Sequence, residues 1–181
     1  MWNQDIYLKT LLFAGYAHRK QTVPSSEMSY VVHITNVTME VANALIQGTG
    51  KDLDGTFAVQ CALLHDTIED TDVTYEDLVA EFGTRVADGV LALTKNETLP
   101  KEARMADSLK RIVKQGKEVR LVKMADRINN LQKPPKHWDT AKMKRYQKEA
   151  QFMLEQLGGA QVYIEARLKQ KIAVYEQYFL E

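Results

Sequence analysis

Residues 54–71, DGTFAVQCALLHDTIEDT, set the fold class. Apolar residues fill the segment FAVQCALLHD without the strict alternation of a half-buried strand, so the stretch predicts one helix from Asp54 to Asp70, buried on most sides. A helix of that kind needs partners around it, and the flanking sequence supplies them. From Tyr30 a helix carries His33, Val37, Val41, Ala44 and Leu45 on one stripe and is ended by Gly48 and Gly50. From Val119 to Gln132 another places Leu121, Met124, Ile128 and Leu131 on one face, holds Asp126 inside it, and is stopped by Pro134-Pro135.

The remaining segments follow the same period. A first helix is expected over about Gln4 to His18, followed by a polar loop from Gln21 to Ser29 with Pro24 in it. Thr74 and Asp77 approach a capping box and Gly83 is a C-terminal stop, which bounds a short helix over Tyr75 to Phe82. Helices over Arg85 to Leu93 and Glu102 to Lys114 are separated by the loop Thr94 to Pro100, and Gly116 closes the second. Asp139 or Thr140 caps a longer helix to Leu157, Gly158-Gly159 breaks it, and Ile164, Leu168, Ile172, Tyr175 and Phe179 mark the stripe of a last one. The expectation is an all-α bundle of about eight to ten helices, one domain over residues 1–181. Its motif-bearing core runs over about 17–131, with the helices of 139–181 packed on it.

The chain is 181 residues long, enough to bury a substantial core around one site. Lys plus Arg and Asp plus Glu number 24 each, so no global field draws it to nucleic acid or an acidic membrane, and an anionic substrate must be caught by local charges. A homo-oligomer is as open as a monomer. Cys61 is the single cysteine; it excludes an internal disulfide and reads as a small core residue. The N-terminus lacks a small-residue cleavage site, and no apolar run nears the roughly 18 residues of a membrane span. These features lead us to expect a soluble, cytoplasmic protein.

The chemistry concentrates in LLHDTIEDT, residues 63–71. In a continuous helix His65 and Glu69 share a face, as do Asp66 and Asp70, which stacks two pairs of metal-type or acid-base groups in register. Burying such charges unpaired costs several kcal/mol apiece, and a divalent cation would offset that cost. Taken singly, His33 could be a hydrogen-bonded core histidine, Asp126 could pair with Lys123 one turn back, and Glu69-Asp70 could be a solvated helix end. Taken together, His33, His65, Asp66 and Asp126 come from three buried helices and offer two nitrogen and two oxygen donors, a set suited to Mn²⁺, Fe²⁺, Zn²⁺ or Mg²⁺.

His33, then His65-Asp66, then Asp126 resembles the H…HD…D signature of the HD phosphohydrolase superfamily. The local strings are similar to one branch, the alarmone hydrolase domain of the RelA/SpoT proteins and their small stand-alone relatives. They are AHRKQ at 17–21, YVVH at 30–33, ALLHDTIEDT at 62–71, FG at 82–83, LTK at 93–95 and LVKMADRINNL at 121–131. The resemblance implies one metal ion, usually Mn²⁺, on His33, His65, Asp66 and Asp126. It implies that Glu69 and Asp70 orient and deprotonate the attacking water, that Asn130 contacts the nucleotide, and that the substrate is guanosine tetra- or pentaphosphate, which loses its 3′-pyrophosphate.

The chain departs from that branch where the nucleotide is gripped. An Arg-Lys pair usually follows the AH..Q string and a Pro follows the metal-binding His, whereas Thr22-Val23-Pro24 and Ile34 stand here. Lys20 and Arg19 lie upstream of the expected place, and Lys95, Lys101 and Arg104 flank a loop from which they could meet the pyrophosphate. Trp138, in PPKHW, reads as a staple on the last helices rather than a base-stacking platform. Two other functions fit the donor set: an HD-type nucleoside 5′-monophosphate phosphohydrolase, needing only a small phosphate pocket, and a non-catalytic nucleotide sensor. The Glu69-Asp70 pair argues against the sensor, because a pure binder has no use for a general base.

Overall fold

The computed structural model describes residues 2–48 and 52–179. Regular structure among them is helical: α1 (Gln4–Ala17), α2 (Val31–Gln47), α3 (Gly55–Leu64), α4 (Thr67–Asp70), α5 (Tyr75–Phe82), α6 (Thr84–Leu93), α7 (Lys101–Gln115), α8 (Lys117–Asn130), α9 (Thr140–Leu157) and α10 (Val162–Val174). Pairing of the β type is confined, among these residues, to one isolated bridge between Thr22 and Ser29. No described helix is long and apolar enough to cross a membrane.

Helix α3 is the axis of the bundle and packs against α1, α2, α6 and α8. Phe57, Ala58, Val59, Cys61, Ala62, Leu63 and Leu64 are all buried, as an apolar helix without a polar face requires. Each of the large ones contributes about 1.5–3 kcal/mol of burial free energy. Close approach of α6 to α3 depends on Gly89: a Cβ there would meet Cys61 Sγ at 2.8 Å and Phe57 Cζ at 3.1 Å. Burial also pushes the Cys61 thiol far up, which makes it an inert core residue.

Caps fall where the side-chain chemistry places them. Thr74 and Asp77 form a reciprocal capping box on α5, Asp139 Oδ1 accepts the Lys142 N–H at the start of α9, and Gly83 and Gly116 take positive φ values of 84° and 112° at helix junctions. Gly48 ends α2 and donates its N–H to the Ala44 carbonyl; the expected second stop at Gly50 lies outside the described residues.

Three expectations need correction. The helix predicted over Asp54 to Asp70 is two helices, α3 and α4, broken at His65-Asp66. Helix α8 ends at Asn130, because Leu131 adopts ψ 44° and leaves the helix before Pro134 is reached. The last helix stops at Val174, and Tyr175–Phe179 continue as a 3₁₀ turn.

Candidate active site

The break between α3 and α4 is made by local hydrogen bonds. Thr67 Oγ1 donates to the Leu64 carbonyl at 2.7 Å, while Asp66 takes φ −106°, ψ 1° and leaves the helical region. Asp70 keeps its helical link to Asp66, its N–H donating to the Asp66 carbonyl at 2.9 Å, while the two acidic side chains of α4 find separate partners. Glu69 turns to Lys95, accepting from its backbone N–H at 2.9 Å and from its ammonium. Asp70 Oδ2 accepts from Gln21 Nε2 at 3.2 Å.

Four donors converge at the break. His33 from α2 brings its Nε2 to 3.3 Å from His65 Nε2, 3.6 Å from Asp66 Oδ2 and 3.6 Å from Asp126 Oδ1. His65 Nε2 lies 2.9 Å from Asp66 Oδ2 and 3.9 Å from Asp126 Oδ1. Among the described residues, His33, His65 and Asp66 form a group of mutually close ligand atoms, and Asp126 on α8 reaches both imidazoles from outside it. Separations of this size are those of atoms arranged about 2.0–2.3 Å from one centre, the usual bond lengths of first-row divalent metals. The tautomer of His65 fits as well: its Nδ1 is 2.8 Å from the Ala62 carbonyl, which takes the Nδ1 proton and leaves Nε2 turned to the other donors. The donor set therefore suits a divalent cation.

The electrostatics agree. Burial alone would raise Asp66, but the His65 imidazole beside it and the hydrogen bond from Tyr30 hold its carboxyl far below the usual carboxylate range. Tyr30 Oη donates to Asp66 Oδ2 at 2.5 Å. Asp126 is likewise held ionised against its burial, by Lys123 first and then by His65. The His65 imidazole, which burial would lower, is pushed up to about 9 by the charge of Asp66, whereas burial and the neighbouring His65 lower His33. Asp70 moves the other way from Asp66: burial and the Asp66 charge raise its affinity for a proton.

Beside Glu69 opens a cavity of about 380 Å³ lined by Lys95, Lys101, Arg104, Lys123 and Arg127. Two roomier clefts, of about 500 and 670 Å³, lie at the start of α10 and between α1 and α5; neither is lined by Glu69 or by Lys123, the residues that join the cationic cavity to the donors. Of the expected substrate contacts, Lys95 and Arg104 line the cationic cavity, with Arg104 folded onto the Leu99 and Glu97 carbonyls. Asn130 is turned to the metal-type donors, its Nδ2 donating to Asp126 Oδ1 at 2.6 Å. Lys20 is exposed between His18 and Gln21 and is not among the residues lining the cavity. Trp138 packs on Tyr146 and under the Lys142 ammonium, as a staple does.

Sequence reasoning gave the Lys123–Asp126 pair but missed Tyr30 and Arg127. Lys123 Nζ donates to Asp126 Oδ2 at 3.0 Å, the pairing expected one turn back, yet Asp126 keeps its other oxygen toward the histidines. Arg127, 8% exposed, stacks at 4.3 Å on the Tyr146 ring and leaves a buried Nη1 without a hydrogen-bond partner at the cavity wall. A signal for these existed in the run Lys123, Asp126, Arg127, Asn130, whose spacing of three and four puts alternating charges along one helix face. Tyr30 gave none, because its partner lies 36 residues away.

A family model described as HD domain matches residues 10–160, and the chain belongs to the HD domain family. Within it, the chain is 32% identical over 170 residues to guanosine-3′,5′-bis(diphosphate) 3′-pyrophosphohydrolase MESH1 of Danio rerio, covering 91% of each. It is 31% identical to the protein of the same name from Homo sapiens, over 87% of each. A solved structure described as a metazoan orthologue of SpoT that hydrolyses ppGpp superposes with a TM-score of 0.82 over 99% of both chains, at 25% identity.

Proposed function

We infer that this chain is a metal-dependent phosphohydrolase that removes the 3′-pyrophosphate from guanosine-3′,5′-bis(diphosphate) or a closely related nucleotide. The observation that carries the reading is the meeting of His33, His65, Asp66 and Asp126, with Glu69 next in chain to Asp70 and Lys123 on Asp126 both lining a cavity whose wall carries five cations. Relatives that match the chain over nine-tenths of their length bear the name of that activity.

One divalent cation would be held by His33 Nε2, His65 Nε2, Asp66 Oδ2 and Asp126 Oδ1, with Mn²⁺ the first choice and Mg²⁺, Fe²⁺ and Zn²⁺ suited to the same donors. Bound there, such an ion supplies polarisation of a phosphoryl oxygen and a water of lowered pKa. Asp70 is the group that takes the proton of the attacking water. Its proton affinity is raised by burial and by Asp66, and its side chain is held by an amide rather than a cation. The water oxygen bonds to the phosphorus carried by the ribose O3′, the O3′–P bond breaks with its electron pair on O3′, and O3′ becomes a hydroxyl by taking up one proton, equivalent to the one the water gave to Asp70. Glu69 fixes Lys95 at the cavity rim, while Lys101, Arg104 and Arg127 face the charge of the departing pyrophosphate. Asn130 gives one N–H to Asp126, which leaves its second N–H and its amide oxygen for the nucleotide.

Five cations against three carboxylates on the cavity wall suit a polyphosphate better than a monophosphate. Phosphate and pyrophosphate release from a panel of nucleotides, with Mn²⁺ added, tests the reading. Pyrophosphate from guanosine-3′,5′-bis(diphosphate) supports it; orthophosphate from 5′-monophosphates alone would favour the nucleotidase, and binding without release the sensor.

A further inference from the structure

The string AHRKQ, residues 17–21, closes α1 and opens the loop to α2. His18 follows the last residue of α1 and is 1% exposed, with its ring 4.8 Å from that of Tyr30. Its Nδ1 is 2.6 Å from Gln21 Oε1, and its Nε2 is buried with no hydrogen-bond partner. The far end of the same Gln21 amide, Nε2, donates to Asp70 Oδ2. Gln21 itself cannot drift: its N–H donates to the His18 carbonyl at 2.9 Å and its carbonyl accepts the Tyr30 N–H at 3.0 Å.

An amide oxygen only accepts, so the His18–Gln21 contact requires the ring proton on Nδ1. Burial lowers the His18 pKa, so the ring is neutral and has one proton to place. The consequence is a lone pair on Nε2 that faces no donor, which is unfavourable in a buried position. That unpaired atom has a counterpart benefit. With Oε1 fixed by His18, only the NH₂ end of Gln21 can face Asp70; a flipped amide would set oxygen against carboxylate.

We propose that His18 and Gln21 are a positioning relay for Asp70: His18 decides which end of the Gln21 amide faces the carboxylate, and Gln21 anchors Oδ2 so that Oδ1 is presented to the attacking water. The relay rests on the assignment of Asp70 as proton acceptor. His18 is buried and Gln21 acts through its hydrogen bond to Asp70, so both are assigned as positioning residues, acting on turnover and not on substrate affinity.

The first test needs no activity. Long-range ¹⁵N–¹H correlation spectra of the metal-free protein, in which only four histidines report, are expected to show His18 neutral with its proton on Nδ1. A proton on Nε2 overturns the relay. The second test is kinetic, on Mn²⁺-loaded protein with guanosine-3′,5′-bis(diphosphate) and with melting temperature measured for every variant. Gln21→Leu is expected to lower kcat about tenfold or more with KM unchanged, the scale of lost outer hydrogen bonds. The Asn side-chain nitrogen overlies Nδ1 of His, and that of Gln overlies Nε2. His18→Asn is therefore expected to keep most of the turnover, and His18→Gln to fall with Gln21→Leu. Equal behaviour of the two His18 variants, or a change in KM or melting temperature alone, means a merely structural role and overturns the proposal. Asp70→Asn separates the two levels: impaired Asp70→Asn beside unimpaired Gln21→Leu sinks the relay and leaves the proton acceptor standing, whereas full activity in Asp70→Asn removes both.

Discussion

Glu69 accepts from Lys95 twice, through the backbone N–H at 2.9 Å and through the side-chain ammonium, and so ties the end of α4 to the loop after α6. Asp70, one residue on, has the neutral Gln21 amide instead. Adjacent carboxylates with different partners are suited to different work. Asp70→Asn should lower kcat by about 10² or more with metal content and melting temperature nearly unchanged, the usual scale for a lost general base. Glu69→Gln should release the Lys95 loop and raise KM more than Asp70→Asn does. Metal analysis alongside kinetics checks the assignment: loss of bound metal from Asp70→Asn would make Asp70 a ligand or its support.

The nucleotide grip differs from that of the branch the chain resembles. Val23 stands in a loop held by its N–H to the Met28 carbonyl, and Arg19 stacks at 4.2 Å on Tyr16 while donating to the Tyr16 carbonyl, so Arg19 is already engaged. Without the Arg-Lys pair, a stacking and phosphate contribution of about 1–3 kcal/mol is expected to be lost at that place. The expected outcome in steady-state kinetics is a KM raised about 10- to 100-fold over relatives that carry the pair, kcat largely kept, and weak preference for guanine over adenine. A low-micromolar KM with strong guanine preference would show that other residues hold the base.

Packing of α6 on α3 gives a prediction independent of chemistry. Gly89→Ala sets a methyl group 2.8 Å from Cys61 Sγ, and the two helices must part. Overpacking of this kind costs about 1–3 kcal/mol, a fall in melting temperature on the order of 5 °C for a chain of this size. Thermal unfolding followed by circular dichroism measures it, and an unchanged midpoint would mean that the helices yield freely there.

Helices were legible in the sequence wherever one face or one cap decides them. The capping box Thr74-Asp77 with Gly83 fixes α5 to the residue, and the stripe Val37, Val41, Ala44 fixes the buried face of α2. The break at His65-Asp66 was not legible, because it is made by the Thr67 hydroxyl competing for the Leu64 carbonyl inside an otherwise strong helical pattern. That His33, His65, Asp66 and Asp126 come together was legible from their residue types and from the H…HD…D resemblance. Their supports were not: Tyr30 on Asp66 and Gln21 on Asp70 join residues 36 and 49 apart, and nothing in the local pattern of either residue announces the partner.

The central claim is that one divalent cation on His33, His65, Asp66 and Asp126 enables loss of the 3′-pyrophosphate. Titration of Mn²⁺ into chelator-stripped protein with guanosine-3′,5′-bis(diphosphate), followed by ³¹P NMR, tests it directly. The account predicts no turnover before metal is added, then appearance of pyrophosphate and a guanosine 5′-diphosphate that saturates at one Mn²⁺ per chain, with Asp126→Asn failing to saturate at that ratio. Turnover without metal, or release of orthophosphate in place of pyrophosphate, would contradict it.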